Sequence, residues 1–327
     1  MKDRPKKPVL AIVVPCFNEQ DVLPDTIIVL LAVLNAQTSI EAISNESFIC
    51  IVDDGSNDNT WTVISDLCEK NINCQGIKLS RNFGHQNALI AGLTAVVENC
   101  DCAITIDADL QQDVAAIPKF IESYKKGGDL VLGVRTDRSS DTLFKKYTAI
   151  LFYWLMNELG LKLIRNHADY RLISRKALVA LLQYREVNIF LRGILLDLGF
   201  EVRFVHFDVS ERKAGISKYT IRKMLSFALN GLTSFTVVPL RFVTILGTCV
   251  FIVSISMGLY IVYYSIFVGG TVPGWSSTVL PIYVLGGLQL MGIGLVGEYI
   301  GKIYQEVKSR PRFIIESTTI NNVNNNL

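Results

Sequence analysis

The chain has 327 residues, which is enough for one large domain or two ordinary domains with a sizeable core. Half of the residues are hydrophobic and only 19% are charged, and the apolar excess lies after Pro239. The net charge of +2 indicates no strongly acidic or basic partner, so we expect no nucleic-acid partner. None of the seven cysteines has the spacing of zinc ligands, which excludes a zinc site of that kind.

Strands and helices alternate along the first part of the chain, and this alternation favours an α/β fold with a mostly parallel sheet flanked by helices. The predicted strands are short apolar runs, each of which ends in a polar stretch. The strands are predicted at residues 9–15, 48–52, 76–79, 103–106 and 130–134, and the helices at residues 22–34, from 61, at 87–97 and at 114–124. No Gly-x-Gly-x-x-Gly sequence is present, so an ordinary dinucleotide-binding fold is not supported.

Polar clusters follow four of the predicted strands. Because the carboxyl ends of parallel strands lie at one edge of a sheet, we expect these clusters to converge there. Crowded carboxylates are costly unless a cation and a hydrogen-bonding ligand lie among them. The clusters are Asn18/Glu19, Asp53/Asp54, Arg81/Asn82 and Asp107/Asp109.

The fourth cluster is typical of a site for a divalent cation. In an extended backbone, residues two apart point to the same side, so Asp107 and Asp109 would face one point beyond the strand. Two carboxylates with the amide oxygen of Gln111 form a hard donor set that suits Mg²⁺ or Mn²⁺. The alternative is that Asp107 caps the next helix and Asp109 is solvated. The convergence of four clusters favours the cation.

The pattern changes after Arg135. A short segment over residues 169–175 is predicted to carry Asp169 and Arg171 on one face and Tyr170 on the other. The other predicted elements are an aromatic-rich helical stretch at residues 142–161, a strand at 202–209, a basic loop at 211–219 and an amphipathic interface helix at 219–235.

Two apolar runs, residues 242–268 and 278–297, are each long enough to span a bilayer. Positive charges flank the pair and the connecting loop has none, so the sequence predicts a multi-pass protein of the inner (cytoplasmic) membrane with its α/β domain in the cytoplasm. The alternative is a buried hairpin in a large soluble protein. Small residues in the second run permit contacts between subunits, as in a homo-oligomer. The tail after Ser317 is predicted to be disordered.

The expected domain organisation follows from these runs. It consists of a cytoplasmic α/β domain at residues 1–215, an amphipathic juxtamembrane helix at 216–240, two transmembrane helices at 241–301 and a cytoplasmic tail at 302–327.

Several motifs occur together and in order. They are Val13-Val14-Pro15-Cys16-Phe17-Asn18-Glu19, Val52-Asp53-Asp54-Gly55-Ser56, Ser80-Arg81-Asn82-Phe83-Gly84, Asp107-Ala108-Asp109-Leu110-Gln111 and the basic segment 212–218. With this set the chain resembles the family-two glycosyltransferases of GT-A fold. The final third, through Gly297-Glu298-Tyr299-Ile300-Gly301, is similar to the polyprenyl-phosphate glycosyltransferases, especially the bactoprenol glucosyltransferase branch. Each motif alone is weak, but the set covers nearly the whole chain.

The resemblance implies transfer of a sugar, such as glucose from UDP-glucose, to a polyprenyl phosphate such as undecaprenyl phosphate, with inversion and with Mg²⁺ or Mn²⁺ as cofactor. It implies that the base and ribose are held by Pro15, Phe17, Glu19, Val52 and Asp54. It implies that the diphosphate and metal meet Asp107, Ala108 and Asp109, with Gln111 completing the metal shell. It also implies anion-binding roles for Arg135, Arg212 and Lys218 and a catalytic carboxylate at Asp169. We further expect Arg171 to help offset the charge of the acceptor phosphate.

Other functions remain open at this point. A processive polysaccharide synthase of the same fold normally carries a Gln-x-x-Arg-Trp motif, which is absent. A second alternative is a non-catalytic nucleotide-sugar-binding membrane subunit. The metal carboxylates and the anion-binding Arg and Lys residues argue against it, because such a subunit would need no acceptor site. For the leading function we expect as partners a nucleotide sugar, a polyprenyl phosphate, the lipid bilayer, a downstream flippase and a second transferase.

Overall fold

A computed structural model describes residues 4–136, 167–186, 191–208, 238–267 and 275–320 of the chain. These residues belong to two compact units. The first unit contains a sheet and the shorter helices, together with the C-terminal segment that begins at Arg310. The second unit contains two long helices.

One sheet in the described part of the chain contains eight strands in the order β7-β5-β6-β4-β1-β2-β3-β8. Six of the strands run in one direction, whereas β6 and β8 run antiparallel to their neighbours. The strands are β1 (Leu10–Cys16), β2 (Phe48–Asp53), β3 (Cys74–Leu79), β4 (Cys102–Thr105), β5 (Leu130–Arg135), β6 (His167–Ser174), β7 (Val202–Phe207) and β8 (Ile315–Thr318).

The centre of the sheet is buried on both faces. Every residue of β1, β2 and β4 is buried, which explains why these strands have continuous apolar sequences and not alternating ones. Strand β1 pairs with β2 on one side and with β4 on the other, so the strand order reverses between β1 and β4. Such a reversal opens a crevice at the carboxyl ends of the strands, where α/β sheets bind ligands.

Helices cover the sheet. Helix α3 lies very close to the central strands, because a Cβ atom added at Gly92 would be 2.5 Å from Val13 and 2.8 Å from Val52. The helices of this unit are α1 (Leu23–Ser39), α2 (Thr60–Lys70), α3 (His85–Val96), α4 (Ile117–Lys125), α5 (Arg175–Leu182) and α6 (Leu191–Asp197), with a 3₁₀ turn at Val114–Ala116.

The predicted α/β architecture is confirmed, since each predicted strand before residue 135 is present to within two residues at either end. The predicted disordered tail is wrong at its start. Strand β8 pairs with the edge strand β3, and the Thr319 N–H donates to the Gly76 carbonyl at 2.9 Å. This pairing satisfies backbone groups that an edge strand would otherwise leave open.

The second unit contains α7 (Val238–Phe267) and α8 (Trp275–Val307), which contact each other. No helix in the described part of the chain has the length together with the apolar character that crossing a membrane requires. The predicted inner-membrane localisation is therefore wrong, and the predicted transmembrane hairpin has no support. The aromatic stretch 142–161, the amphipathic helix 219–235, Arg212 and Lys218 lie outside the described residues.

Candidate active site

The loops that follow β1 and β2 are joined by hydrogen bonds. The Asn18 N–H donates to Ser56 Oγ at 2.9 Å, and the Asn57 N–H donates to Asn18 Oδ1 at 2.9 Å. Asn18 has a φ of 55°, a left-handed conformation that asparagine tolerates better than most residues. The two polar clusters predicted to share a sheet edge are therefore adjacent.

Asp54 joins the β2 exit to the β3 exit. Its two carboxylate oxygens accept hydrogen bonds from the backbone N–H groups of Phe83 (2.8 Å) and Gly84 (2.9 Å). The neighbouring Gly55 has a φ of 67°, and a Cβ there would lie 2.3 Å from the backbone of Arg81. Asp54 is buried, so its visible task is to hold these loops together, and its contact with a nucleotide stays a prediction.

Asp53 carries an unsatisfied carboxylate oxygen. Its Oδ1 accepts from the Ser56 N–H at 3.0 Å, whereas Oδ2 is buried with no hydrogen-bond partner among the described residues. Burial raises the pKa of Asp53. The sequence identified the Asp53/Asp54 pair as a candidate. The structure shows that Asp53 is the one whose buried oxygen has no hydrogen-bond partner among the described residues.

The other residues predicted to hold the nucleotide lie at the same edge. Pro15 and Val52 are buried and stand opposite each other in the β1–β2 register. Phe17 is 38% exposed, so its ring is accessible to a ligand. The Glu19 N–H donates to Thr60 Oγ1 at 3.0 Å, which fixes the loop between β1 and α1.

Two side chains lie beside the carboxylate of Asp107, just beyond β4. Gln112 Nε2 donates to Asp107 Oδ2 at 2.6 Å, and His85 Nε2 lies 3.6 Å from Oδ1. Burial raises the pKa of Asp107, and the charges of Asp169 and Asp109 raise it further against the opposing effect of His85. The side chain is still 35% exposed, so water weakens this shift.

The backbone turns between Asp109 and the next residues. Leu110 has a φ of 52°, and the Gln111 N–H donates to Asp109 Oδ1 at 3.2 Å. This turn brings Gln112, and not Gln111, to the carboxylate of Asp107. The role of Gln111 as a metal ligand stays a prediction. Ala108, between the two acids, is buried, and its carbonyl accepts from Thr26 Oγ1 at 2.7 Å.

Asp169, near the start of β6, lies between two guanidinium groups. Arg192 on α6 donates from Nε to Oδ1 at 3.2 Å and from Nη2 to Oδ2 at 3.0 Å, and Arg171 Nη2 also donates to Oδ1. Burial by itself would raise the pKa of Asp169, but the two cations hold it well below its usual range. The carboxylate is therefore ionised at any pH near neutrality.

The Arg171 side chain is buried and does not reach the surface of the protein. It is 1% exposed, and its Nε and Nη1 are buried with no hydrogen-bond partner among the described residues. Its neighbour Tyr170 points to the opposite face, as predicted from the alternation of a strand, and packs against Phe120 and Phe207 with ring centroids 4.5 and 5.2 Å apart.

The antiparallel pairing of β4 with β6 brings the two acidic groups together. Thr105 pairs with Arg171, and Thr105 Oγ1 donates to the Asp169 carbonyl at 2.6 Å. Continued by two residues, this register sets Asp107 opposite Asp169, and the charge of Asp169 acts on Asp107. Arg135 ends β5 as an exposed side chain.

A divalent cation fits this donor set. No group of three or more His, Cys, Asp or Glu side chains in the described part of the chain is arranged to enclose a metal ion. However, Mg²⁺ is commonly bound by one or two carboxylates together with waters and substrate phosphates. Asp107 and Asp109 provide that number of hard donors at an edge that water reaches.

Two residues in the site were missed by the sequence analysis. Gln112 follows the predicted motif by one position, and the sequence gives no signal for the left-handed turn at Leu110 that brings it to Asp107. Arg192 lies 23 residues after Asp169 in a short helix, and no local pattern connects the two.

The chain is similar to several known proteins. The family described as Glycosyl transferase family 2 matches residues 11–182. YkoT of Bacillus subtilis (strain 168), an uncharacterized glycosyltransferase, is 48% identical over 310 residues, which cover 95% of this chain and 92% of that protein. The bactoprenol glucosyl transferase of Shigella phage SfX is 38% identical over 309 residues, which cover 94% of this chain and 99% of that protein.

One solved structure of low similarity is glucosyl-3-phosphoglycerate synthase from Mycobacterium tuberculosis in complex with Mn²⁺, UDP and phosphoglyceric acid. It has 16% sequence identity and a TM-score of 0.47, over 68% of this chain and 75% of that chain. The family match to residues 11–182 and the relatives that cover 94–95% of the chain show its family: the chain is a glycosyltransferase and belongs to glycosyl transferase family 2.

Proposed function

We propose that the protein transfers glucose from a nucleotide diphosphate sugar, such as UDP-glucose, to a polyprenyl phosphate with inversion at the anomeric carbon. The observation that carries the proposal is the pair of carboxylates Asp107 and Asp169 at one sheet edge. Two arginines donate hydrogen bonds to Asp169. Relatives such as the bactoprenol glucosyl transferase of Shigella phage SfX, by their names, support the choice of sugar and acceptor.

The acceptor needs little activation. A phosphate monoester has a second pKa of about 6, so at pH 7 it already carries most of its second negative charge. A phosphate oxygen attacks the anomeric carbon, the bond from that carbon to the diphosphate breaks, and the nucleotide diphosphate leaves with the electron pair. No proton has to be removed from the nucleophile.

Charge repulsion is the larger obstacle. Two unit charges 4 Å apart repel by about 4 kcal/mol at an effective dielectric constant of about 20, and both substrates are anionic. Asp107 and Asp109 would hold a divalent cation, which when bound supplies the charge that stabilises the leaving diphosphate. The positive charge of exposed Arg135 would offset the negative charge of the substrate phosphates, and the charges of Arg212 and Lys218 would do the same.

Asp169 has a different task in this proposal. Two guanidinium groups lower its pKa, and a carboxylate of low pKa is a poor proton acceptor. Its remaining acceptor capacity suits hydrogen bonds from hydroxyl groups of the donor sugar. Asp169 would therefore orient the sugar and not act as a general base.

The test is release of nucleotide diphosphate by the purified full-length protein from a panel of sugar nucleotides, with and without undecaprenyl phosphate in detergent. We expect release with UDP-glucose that depends on the acceptor and produces a lipid-linked sugar detectable by mass spectrometry. Release that is equal without the acceptor, or a polymeric product, would contradict the proposal.

A further inference from the structure

Helix α3 supports both acidic groups of the site through its first two residues. His85 lies 3.6 Å from Asp107, and the next residue, Gln86, accepts a hydrogen bond at Oε1 from the Leu191 N–H at 3.1 Å. Leu191 begins α6, whose second residue is Arg192. The start of α3 therefore lies beside one carboxylate and fixes the helix that contacts the other.

The two arginines on Asp169 are not equivalent. Arg171 reaches only Oδ1, whereas Arg192 donates to both oxygens, at 3.2 and 3.0 Å. A carboxylate held through a single oxygen can rotate about its Cβ–Cγ bond, but a guanidinium that contacts both oxygens fixes the plane of the group. The orientation of Asp169 therefore depends on Arg192.

The burial of the two arginines points to the same division. Arg171 is 1% exposed and belongs to the sheet interior, where it balances the charge of Asp169. The Arg192 side chain is 35% exposed and approaches from a separate helix. Arg171 thus balances the charge of Asp169, and Arg192 fixes the orientation of its carboxylate plane.

We propose that Arg192 is a positioning residue of the transfer reaction, which acts by fixing the carboxylate plane of Asp169 against the donor sugar. This inference rests on the proposed function, because it assigns Asp169 to the sugar. Arg192 itself touches no reacting atom in this account. Its loss therefore reduces turnover more than it weakens substrate binding.

Arg192→Ala tests the inference in the full-length protein, with acceptor-dependent release of nucleotide diphosphate as the assay. We expect kcat to fall about 10- to 100-fold with the KM for the sugar nucleotide changed less than about twofold. Arg192→Lys restores the charge but cannot donate in parallel to both oxygens, so it should recover only a small part of the loss. Guanidinium ions should restore activity to Arg192→Ala, and ammonium ions should not.

Arg203→Ala is a matched control. Arg203 is 34% exposed and donates from Nε and Nη2 to Glu201 at 3.0 and 2.8 Å, outside the site. We expect its kcat to equal that of the wild type. Thermal unfolding of all variants separates lost folding from lost turnover.

The decisive measurement is a double-mutant cycle with Asp169→Asn. If Arg192 acts through Asp169, Arg192→Ala lowers kcat by less than about twofold in the Asp169→Asn background, and guanidinium no longer rescues it. An equal loss in both backgrounds, full recovery in Arg192→Lys, or an unchanged kcat in Arg192→Ala would overturn the inference. Absence of wild-type turnover with undecaprenyl phosphate would instead refute the proposed function, and the inference with it.

Discussion

Gln112 holds Asp107 from two directions. Its Nε2 donates to Asp107 Oδ2 at 2.6 Å, and its Oε1 accepts from the Asp107 N–H at 3.3 Å. The side chain of Gln112 is buried, so its orientation is fixed by packing as well as by these bonds. Gln112 engages Oδ2, while Oδ1 lies 3.6 Å from His85 Nε2, so Asp107 would offer an oriented carboxylate to a divalent cation. Partners of this kind orient metal ligands and raise metal affinity.

Gln112→Ala should therefore weaken the binding of the metal ion. We expect the Mg²⁺ or Mn²⁺ concentration for half-maximal turnover to rise about 10- to 100-fold, because Asp107 loses the partner that orients it. Gln111→Ala is the comparison, since Gln111 contributes a backbone N–H to Asp109 that alanine retains. A larger shift in Gln111→Ala than in Gln112→Ala would show that Gln111 is a direct ligand and that this assignment is wrong.

Gly55→Ala should destabilise the fold by more than its backbone conformation explains. Gly55 and Gly199 have φ values of 67° and 68°, so alanine meets similar strain at both positions. A Cβ at Gly55 would lie 2.3 Å from the backbone of Arg81, whereas nothing lies within 4 Å at Gly199. We expect Gly55→Ala to cost about 1–3 kcal/mol more than Gly199→Ala in the free energy of unfolding, measured in urea. Equal costs would mean that the Arg81 loop moves aside freely.

Much of this site could be predicted because its residues are adjacent in sequence to the strands that position them. The clusters at Asn18, Asp54 and Asp107 follow buried apolar strands, and parallel strands put such exits at one edge. The pairing of β8 with β3 could not be predicted, since it joins segments more than 200 residues apart. The same holds for Arg192, whose position depends on the hydrogen bond from Leu191, at the start of α6, to Gln86 on α3.

The two long apolar runs led to a wrong prediction because their interpretation used only the composition of the chain. Hydropathy and the distribution of Lys and Arg describe composition along the chain, and they predicted a membrane location that the described helices contradict. The unexpected contact of Gln112 with Asp107 has a local cause. The positive φ at Leu110 ends the alternation on which the predicted ligand set depended.

Asp109→Asn should reduce turnover by at least about 10³-fold, because the amide no longer balances the charge of a cation at the leaving diphosphate. Asp113→Asn is a suitable control. Asp113 accepts from the Ala115 N–H at 2.9 Å as a cap, and asparagine caps equally well. Full activity of Asp109→Asn, or of the wild type in excess EDTA, would contradict the metal assignment.

Asp169→Asn should destabilise the protein in a pH-dependent way. The change leaves Arg171 as a buried charge without its counter-ion, which costs up to about 3–5 kcal/mol. The folded-state pKa of Asp169 is lowered from an unfolded value of about 3.9, so its stabilisation is complete above that value and is lost as the pH falls towards the folded-state pKa.

The difference in Tm between wild type and Asp169→Asn should therefore be large at about pH 7 and should narrow as the pH falls below about 4. Asp197→Asn, an exposed change on α6, should give no such trend. A difference that stays constant down to about pH 2, or one that grows with acidity, would contradict the ion-pair account.

The pH dependence of turnover separates orientation by Asp169 from general-base catalysis. If the acceptor phosphate supplies the nucleophile, the acidic limb of kcat/KM for the acceptor reports its second pKa, near about 6. The two arginines on Asp169 keep its pKa well below that range, so Asp169 is ionised throughout the limb. Asp169→Asn should lower the plateau and leave the position of the limb unchanged. Arg135→Ala, which removes an exposed cation at the end of β5, should raise the KM for the acceptor. If Asp169→Asn abolishes the acidic limb, Asp169 accepts a proton in the reaction and the assignment of the charge to the phosphate itself is wrong.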